Sequence, residues 1–175
     1  MVETVQVVGA GDLDMELDLS TLRRDLKEYV TPFGSESSPG LYFKFDENTP
    51  TVALYRSGSF HITGAKSEEE IHDSHQRLLG LMNSLGIDNI DTHFDISNVV
   101  STADLGRSFD LAALCIELGF ENTEYEPEQF PGLVFRPSEF STTFVIFANG
   151  KVVITGVKTS QEAKRAFERL EGRLS

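Results

Sequence analysis

The sequence predicts an α+β fold in which two direct repeats form one curved antiparallel sheet, with the helices on its convex face. Two observations predict it. Displaced by about 92 residues, the chain aligns with itself without a gap, at roughly 24 identities in about 83 pairs, against the roughly one in sixteen expected by chance. Val7-Val8 falls on Val99-Val100, Pro39-Gly40-Leu41 on Pro131-Gly132-Leu133, and Ile62-Thr63-Gly64 on Ile154-Thr155-Gly156. Within each copy the order is strand, helix, four strands, helix, and helices gathered on one face of a mostly antiparallel sheet make this class. The copies are assigned to residues 1–88 and 89–175. Two such copies are naturally joined as a single sheet with pseudo-twofold symmetry and an open concave face.

Each copy opens on a short β-branched run, Thr4–Gly9 and Phe94–Ser101, read as strands. LDLSTLRRDL (17–26) and FDLAALCIEL (109–118) place apolar residues at helical spacing behind an Asp, which suits a helix N-terminus. Strands follow at Leu41–Phe45, Thr51–Arg56 and Ser59–Thr63, and again at Leu133–Arg136, Thr142–Ala148 and Lys151–Thr155. Arg56-Ser57-Gly58-Ser59 and Ala148-Asn149-Gly150-Lys151 read as hairpin turns. Amphipathic helices close the copies at Ser67–Asn83 and Ser160–Leu170, each opened by a Ser or Thr cap with Glu close behind.

The chain carries 28 Asp+Glu against 15 Lys+Arg, a formal net charge of -13, with one Cys and no Trp. One Cys excludes an internal disulfide framework and a zinc finger. The longest apolar stretches, such as Phe144–Ala148, are far too short to span a bilayer. The first residues, MVETVQVVGAGD, carry no secretion signal, so a soluble cytoplasmic protein is expected. Net acidity argues against nucleic acid as a partner, but the placement of the few cations counts for more than their total.

Several motifs tempt and fail. VVGAGD (7–12) contains GxG after a strand but lacks the third Gly of a dinucleotide site. GSFHITGAKS (58–67) approaches a phosphate loop, yet it holds five residues between its glycines and its strand runs into the second. His72 and His75 sit at helical spacing, where a solvated face is expected rather than a metal site, and Cys115 among Leu111, Leu114 and Leu118 reads as a buried structural thiol. No catalytic constellation stands out, so no enzyme, cofactor or metal is expected.

What remains is a sheet face. Alternation puts Val145, Phe147, Val153 and Thr155 on one side of their strands, with Arg136, Lys151 and Lys158 around them. An apolar face rimmed by cations fits a nucleic-acid minor groove, the floor meeting bases and the rim meeting phosphates. Ordinary sheet packing is the competing reading of the same spacing.

The second copy, with DISNVVSTADLG (95–106), YEPEQFPGLVFRP (125–137) and FVIFANGKVVITGVKTSQEA (144–163), resembles the C-terminal repeat of the archaeal and eukaryotic TATA-box-binding proteins. The first copy keeps LDL (17–19), PGLYFKF (39–45) and SGSFHITGAKSEEE (57–70) of the N-terminal repeat. The resemblance implies a saddle that binds A/T-rich double-stranded promoter DNA in the minor groove, bends it, and recruits transcription factor B and, through it, RNA polymerase. Such a general transcription factor would be cytoplasmic and nucleoid-associated, with no membrane partner. By position, the resemblance makes Phe130 and Phe147 wedges between base steps and Asn98 a hydrogen-bonding residue at base edges. Val100, Val145, Val153 and Thr155 become floor, Arg136, Lys151 and Lys158 phosphate contacts, and Glu126 and Glu128 a loop offered to transcription factor B. In the first copy Val8 and Thr63 match floor, and Lys44 and Lys66 phosphate contacts.

The first copy departs from this pattern. Gln6 replaces the central asparagine, Ser38 and Tyr55 stand at the wedge positions, Ser59 replaces a lysine, and His61 replaces a floor valine. Phe33 in EYVTPFG (28–34) would serve as a displaced wedge if its loop has shifted register. These departures keep a second reading open: a degenerate paralogue acting as a protein-interaction module or regulator, with weak or no DNA binding. The acidity suggests a halophilic source.

Overall fold

The computed structural model describes residues 1–87 and 93–174, and the expected boundary between residues 88 and 89 lies outside them. The elements run β1 (Glu3–Asp12), α1 (Leu19–Leu26), β2 (Thr31–Phe33), β3 (Gly40–Lys44), β4 (Thr51–Tyr55), β5 (Ser59–Ala65) and α2 (Glu68–Ser84). The pattern then repeats as β6 (His93–Asp104), α3 (Leu111–Leu118), a short 3-10 turn (Phe120–Asn122), β7 (Thr123–Glu124), β8 (Leu133–Phe135), β9 (Thr143–Ile146), β10 (Lys151–Val157) and α4 (Ser160–Leu174). The strands belong to one antiparallel sheet of 10, in the order β2-β3-β4-β5-β1-β6-β10-β9-β8-β7. No helix among the described residues is long and apolar enough to cross a membrane.

Two compact units emerge, one of Gln6–Ser97 and one of Met1–Val5 with Asn98–Ser175, here called the N-terminal and C-terminal units. Apart from the 3-10 turn, which it did not find, residue-level reading of the sequence found every helix and strand except β2 and β7. These are 3 and 2 residues long, too short for alternation to register, and β2 contains Pro32, which suits an end strand.

The sequence signals act locally as expected. Asp18 caps α1 by accepting from the Thr21 amide at 3.2 Å, and Asp110 caps α3 by accepting from Ala112 and Ala113 at 3.1 and 3.2 Å. The bond from the Thr21 amide, then that from its hydroxyl, holds the Asp18 carboxyl below the usual carboxylate range. At α2, Ser67 Oγ accepts from the Glu70 amide at 3.1 Å, while the Glu70 carboxylate accepts from the Lys66 amide at 2.8 Å. At α4, Thr159 and Glu162 repeat the exchange at 3.0 Å, and at 2.9 Å to the Lys158 amide. Both hairpin turns close, Gly58 N–H donating to Tyr55 and Gly150 N–H to Phe147, each at 2.9 Å. Each turn is clasped by the loop after the first strand of its copy, through Leu13 N–H to Gly58 O at 2.9 Å and Leu105 N–H to Gly150 O at 2.8 Å.

Strand alternation divides each unit into a sealed face and a half-buried one. In the N-terminal unit Leu41, Phe43, Val52, Leu54, Phe60 and Ile62 are at most 1% exposed and pack with Leu22, Leu26, Ile71, Leu78 and Met82 of α1 and α2. In the C-terminal unit Leu133, Phe135, Phe144, Ile146, Val152 and Ile154 play the same part beneath α3 and α4. Cys115 is buried on α3, as its neighbours imply.

His75 corrects the sequence reading. His72 lies on the exposed face of α2, but His75 is buried, its ring 4.3 Å from Phe94 and 5.8 Å from Phe60. Helical spacing alone could not show that an aromatic stack waits beneath. The two glycines of VVGAGD lie in β1 and make that stack possible. A Cβ on Gly9 would come within 2.5 Å of Phe94, and one on Gly11 within 2.3 Å of the His93 carbonyl oxygen and 2.5 Å of Phe60. Close packing, not phosphate, explains them.

Gly11→Ala should therefore destabilise the protein by about 1–3 kcal/mol, the cost of overpacking a fixed core, read from urea denaturation. Burial, and then the nearby His72, push the His75 pKa below the ordinary imidazole value. The unfolded chain then binds the proton more readily, so stability is full above pH about 6.5 and declines as pH falls below it. The urea midpoint should drop between pH 7.5 and 5.5, and His75→Phe should flatten that drop. Equal slopes in the two proteins would refute the assignment.

Candidate nucleic-acid interface

The half-buried face of the C-terminal unit is built by register. Val134 of β8 pairs with Val145 of β9, Val145 with Val153 of β10, and Val153 with Thr102 of β6. Directly opposed residues point the same way, so these four side chains form one row across four strands. Thr155 pairs with Thr143 one step along the same face. Asn98 and Val100 share the parity of Thr102 on β6 and are likewise half-buried. Val134, Thr102 and Thr143 escaped the sequence reading. Alternation within Leu133–Arg136 would have exposed the first; the other two needed the pairing.

Asn98 is held by three contacts. Its Oδ1 accepts from the Gly156 amide at 2.9 Å, and its Nδ2 lies 3.0 Å from Thr155 Oγ1. A backbone N–H only donates, so the oxygen must face Gly156 and the NH2 group must face Thr155, where one of its two protons is donated to the hydroxyl and the other is left over. The side chain is thus locked as a donor. The Thr155 hydroxyl lies 3.2 Å from the same Oδ1, within reach to donate in turn.

At the end of the row stand Phe130 and Phe147, ring centroids 6.0 Å apart and planes inclined at 63°. Phe130 is 45% exposed, a high value for a bare phenyl ring. Gly132 seats the pair. A Cβ there would lie 2.7 Å from Phe130, 2.8 Å from Val145 and 3.1 Å from Phe147, so only glycine lets the three converge. The Phe130 backbone is set by a helical turn, its amide donating to Glu126 O at 3.0 Å, which leaves Glu126 and Glu128 exposed.

The N-terminal unit builds the same row from different chemistry. Phe33 pairs with Tyr42, Tyr42 with Ala53, Ala53 with His61, and His61 with Ala10. Tyr55 meets His61 edge-on with centroids 5.4 Å apart, and Phe33 stacks on Tyr42 at 6.1 Å and 26°. Burial first, then the nearby Tyr42 and a hydrogen bond to it, hold the Tyr55 hydroxyl protonated above the ordinary tyrosine range. Val8 and Thr63 are half-buried, while Gln6 is exposed.

Comparison with known proteins bears on this geometry. The family model described as transcription factor TFIID, or TATA-binding protein, matches residues 1–85 and 93–175. TATA-box-binding protein C of Halobacterium salinarum is 44% identical over 99% of this chain and 97% of its own length. The chain belongs to the TATA-box-binding protein family. The TATA-box-binding protein of Haloarcula marismortui is 37% identical over 99% of this chain and 93% of its own. Among solved structures, that described as Methanococcus jannaschii TBP superposes with a TM-score of 0.82 at 36% identity, covering 98% of this chain and 97% of that one. The archaeal-type fold and the haloarchaeal affinity expected from the sequence are both found.

The cations beside the half-buried faces of the two units are placed unequally. Lys44, Lys66, Lys151 and Lys158 are exposed. Arg136 is exposed too, but its Nη1 donates to Glu124 at 2.9 Å, so it must exchange a carboxylate before meeting another anion. Beside Phe147 lies an open depression of about 460 Å³ lined by Met1, Glu3, Thr102, Lys151 and Val153, which no motif in the sequence announced.

Proposed function

We propose that this TATA-box-binding protein is a general transcription initiation factor. It binds A/T-rich promoter duplex in the minor groove, bends it, and presents Glu126 and Glu128 to transcription factor B, which positions RNA polymerase. One observation carries the reading: the C-terminal unit offers an apolar floor with a locked amide donor at Asn98 and an exposed phenylalanine pair at its end. A minor groove of A·T pairs presents only acceptors, adenine N3 and thymine O2, while G·C adds an amino group. A donor on an apolar floor suits the first and leaves the amino group of the second without a partner. Phe130 and Phe147 then act as wedges, the behaviour characteristic of this family, and unstack a base step at a cost of a few kcal/mol. Arg136, Lys151 and Lys158, with Lys44 and Lys66 of the other unit, meet phosphates, and Val8, Thr63, Gln6 and Tyr55 extend the contact.

The second reading is a protein-interaction module that no longer bends DNA. Its support is the polar chemistry of the N-terminal row, where Tyr55 and His61 replace apolar groups and Ser38 offers no wedge.

A fluorescent A/T-rich duplex should be bound in preference to a G/C-rich one in high KCl. Phe147→Ala should weaken that binding about tenfold or more, the loss of a wedge. Asn98→Asp keeps the acceptor for Gly156 but turns the outward donor into a charge facing acceptors, so it should be worse than Asn98→Ala. Folded protein that binds neither duplex, with or without transcription factor B, would leave only the interaction module.

Counterion release makes ordinary DNA binding fall steeply with salt. A chain of net charge -13 needs cations to screen its carboxylates against phosphate, so its affinity should vary weakly with KCl or rise. A steep loss between low and high KCl, with unchanged circular dichroism, would refute that.

A further inference from the structure

The two units differ at the end of their rows in a way the repeat alignment does not show. In the C-terminal unit Glu124 of β7 stands opposite Val134, and its carboxylate is taken up by Arg136. Aligned by repeat, Pro32 should stand at the equivalent place. Instead Phe33 is opposite Tyr42, the pairing of β2 with β3 having slipped by one residue relative to its sister. A one-residue slip moves every side chain of a strand to the other face. The slip therefore carries Phe33 onto the half-buried face and turns Pro32 away.

The seat of the wedge pair is altered in the same unit. A Cβ on Gly40 would meet Tyr55 at 2.9 Å and Tyr42 at 3.1 Å, as one on Gly132 would meet Phe130 and Phe147. Both rings over Gly40 end in hydroxyls, one hydrogen-bonded to the other. Neither presents a bare apolar edge. Phe33 does: it is 45% exposed, matching Phe130, and it is the exposed phenyl ring on this face among the described residues of the unit. Its ring is braced from one side by Tyr42 at 6.1 Å. Lys44, exposed on the same face of β3, stands opposite Thr31, a pair removed from Phe33.

Insertion between base steps needs an apolar group, held from behind, with a cation near the flanking phosphate. We propose that Phe33 is the wedge of the N-terminal unit, the function having moved from the loop before β3 to the end strand β2. The proposal rests on the DNA-binding reading above. It makes the unit's site wider than that of its sister, because the inserting ring is carried two strands further out than Tyr55, on β2 rather than β4.

The test places 2-aminopurine, whose emission rises on unstacking, at each step of an A/T-rich duplex in turn, bound by the full chain. Wild type should give two maxima. Phe147→Ala should abolish one and Phe33→Ala the other, with about tenfold weaker binding in each case, while Phe33→Leu should retain both. Phe33 is exposed, so its truncation should leave the thermal midpoint unchanged, which circular dichroism checks. Two undiminished maxima with Phe33→Ala, or a wild type that gives one maximum only and loses it with Phe147→Ala, would overturn the Phe33 assignment while the DNA-binding reading stands. A wild type that binds no duplex would overturn both.

Discussion

The constraint on which the rest depends is alternation: each strand gives every second side chain to the helices and keeps the others on the opposite face. On one side Phe43, Phe60, Phe135 and Phe144 are almost wholly removed from water. Burying a phenylalanine contributes roughly 1.5–3 kcal/mol, so those positions are not free to change parity. The face opposite is therefore fixed in composition and in register as a by-product of the core. Val145 and Val153 meet because Phe144, Ile146, Val152 and Ile154 are pinned beneath them.

The pinning has unequal consequences in the two copies. In the C-terminal unit β-branched side chains line the row, and the amide of Asn98 is oriented by the Gly156 N–H, a backbone donor. In the N-terminal unit the core is as well sealed, yet the row above it holds Tyr42, Ala53 and His61. Duplication thus preserved what packing demands and released what only the outer face demands. The β2 slip belongs to the same pattern. A strand of 3 residues at the end of a sheet has few pairs to hold its register, so a small change in its loop can re-aim it.

Charge is managed locally rather than by total. Among the carboxylates, Asp18, Glu70, Asp110 and Glu162 are committed to helix N-termini, where orphan amides and the helix dipole favour them. Glu124 and Glu139 pair with Arg136 and Arg173 at 2.9 and 2.8 Å. Such exposed pairs contribute little to stability, typically about 0–1 kcal/mol, so Arg136 can change partner at small cost. The lysines on the sheet face lie apart from these pairs.

The sequence by itself determined the duplication, the order of elements, the caps and the hairpins. Each is encoded within a few residues, by an Asp or Ser before a helix or a glycine after a turn, or by repetition, which needs no structure to see. It also carried the family, through motifs densest in the C-terminal copy, and the face of Val145, Phe147, Val153 and Thr155, through a period of two. Tertiary structure decided the rest. That His75 is buried against Phe94 depends on a strand distant in sequence. The opening left by Gly132 matters only because a separate strand delivers Phe147 beside Phe130 of its own loop. The place of Phe33 turns on one hydrogen-bonded pairing, which no local signal encodes, because strand register is set by what lies opposite rather than by what lies adjacent.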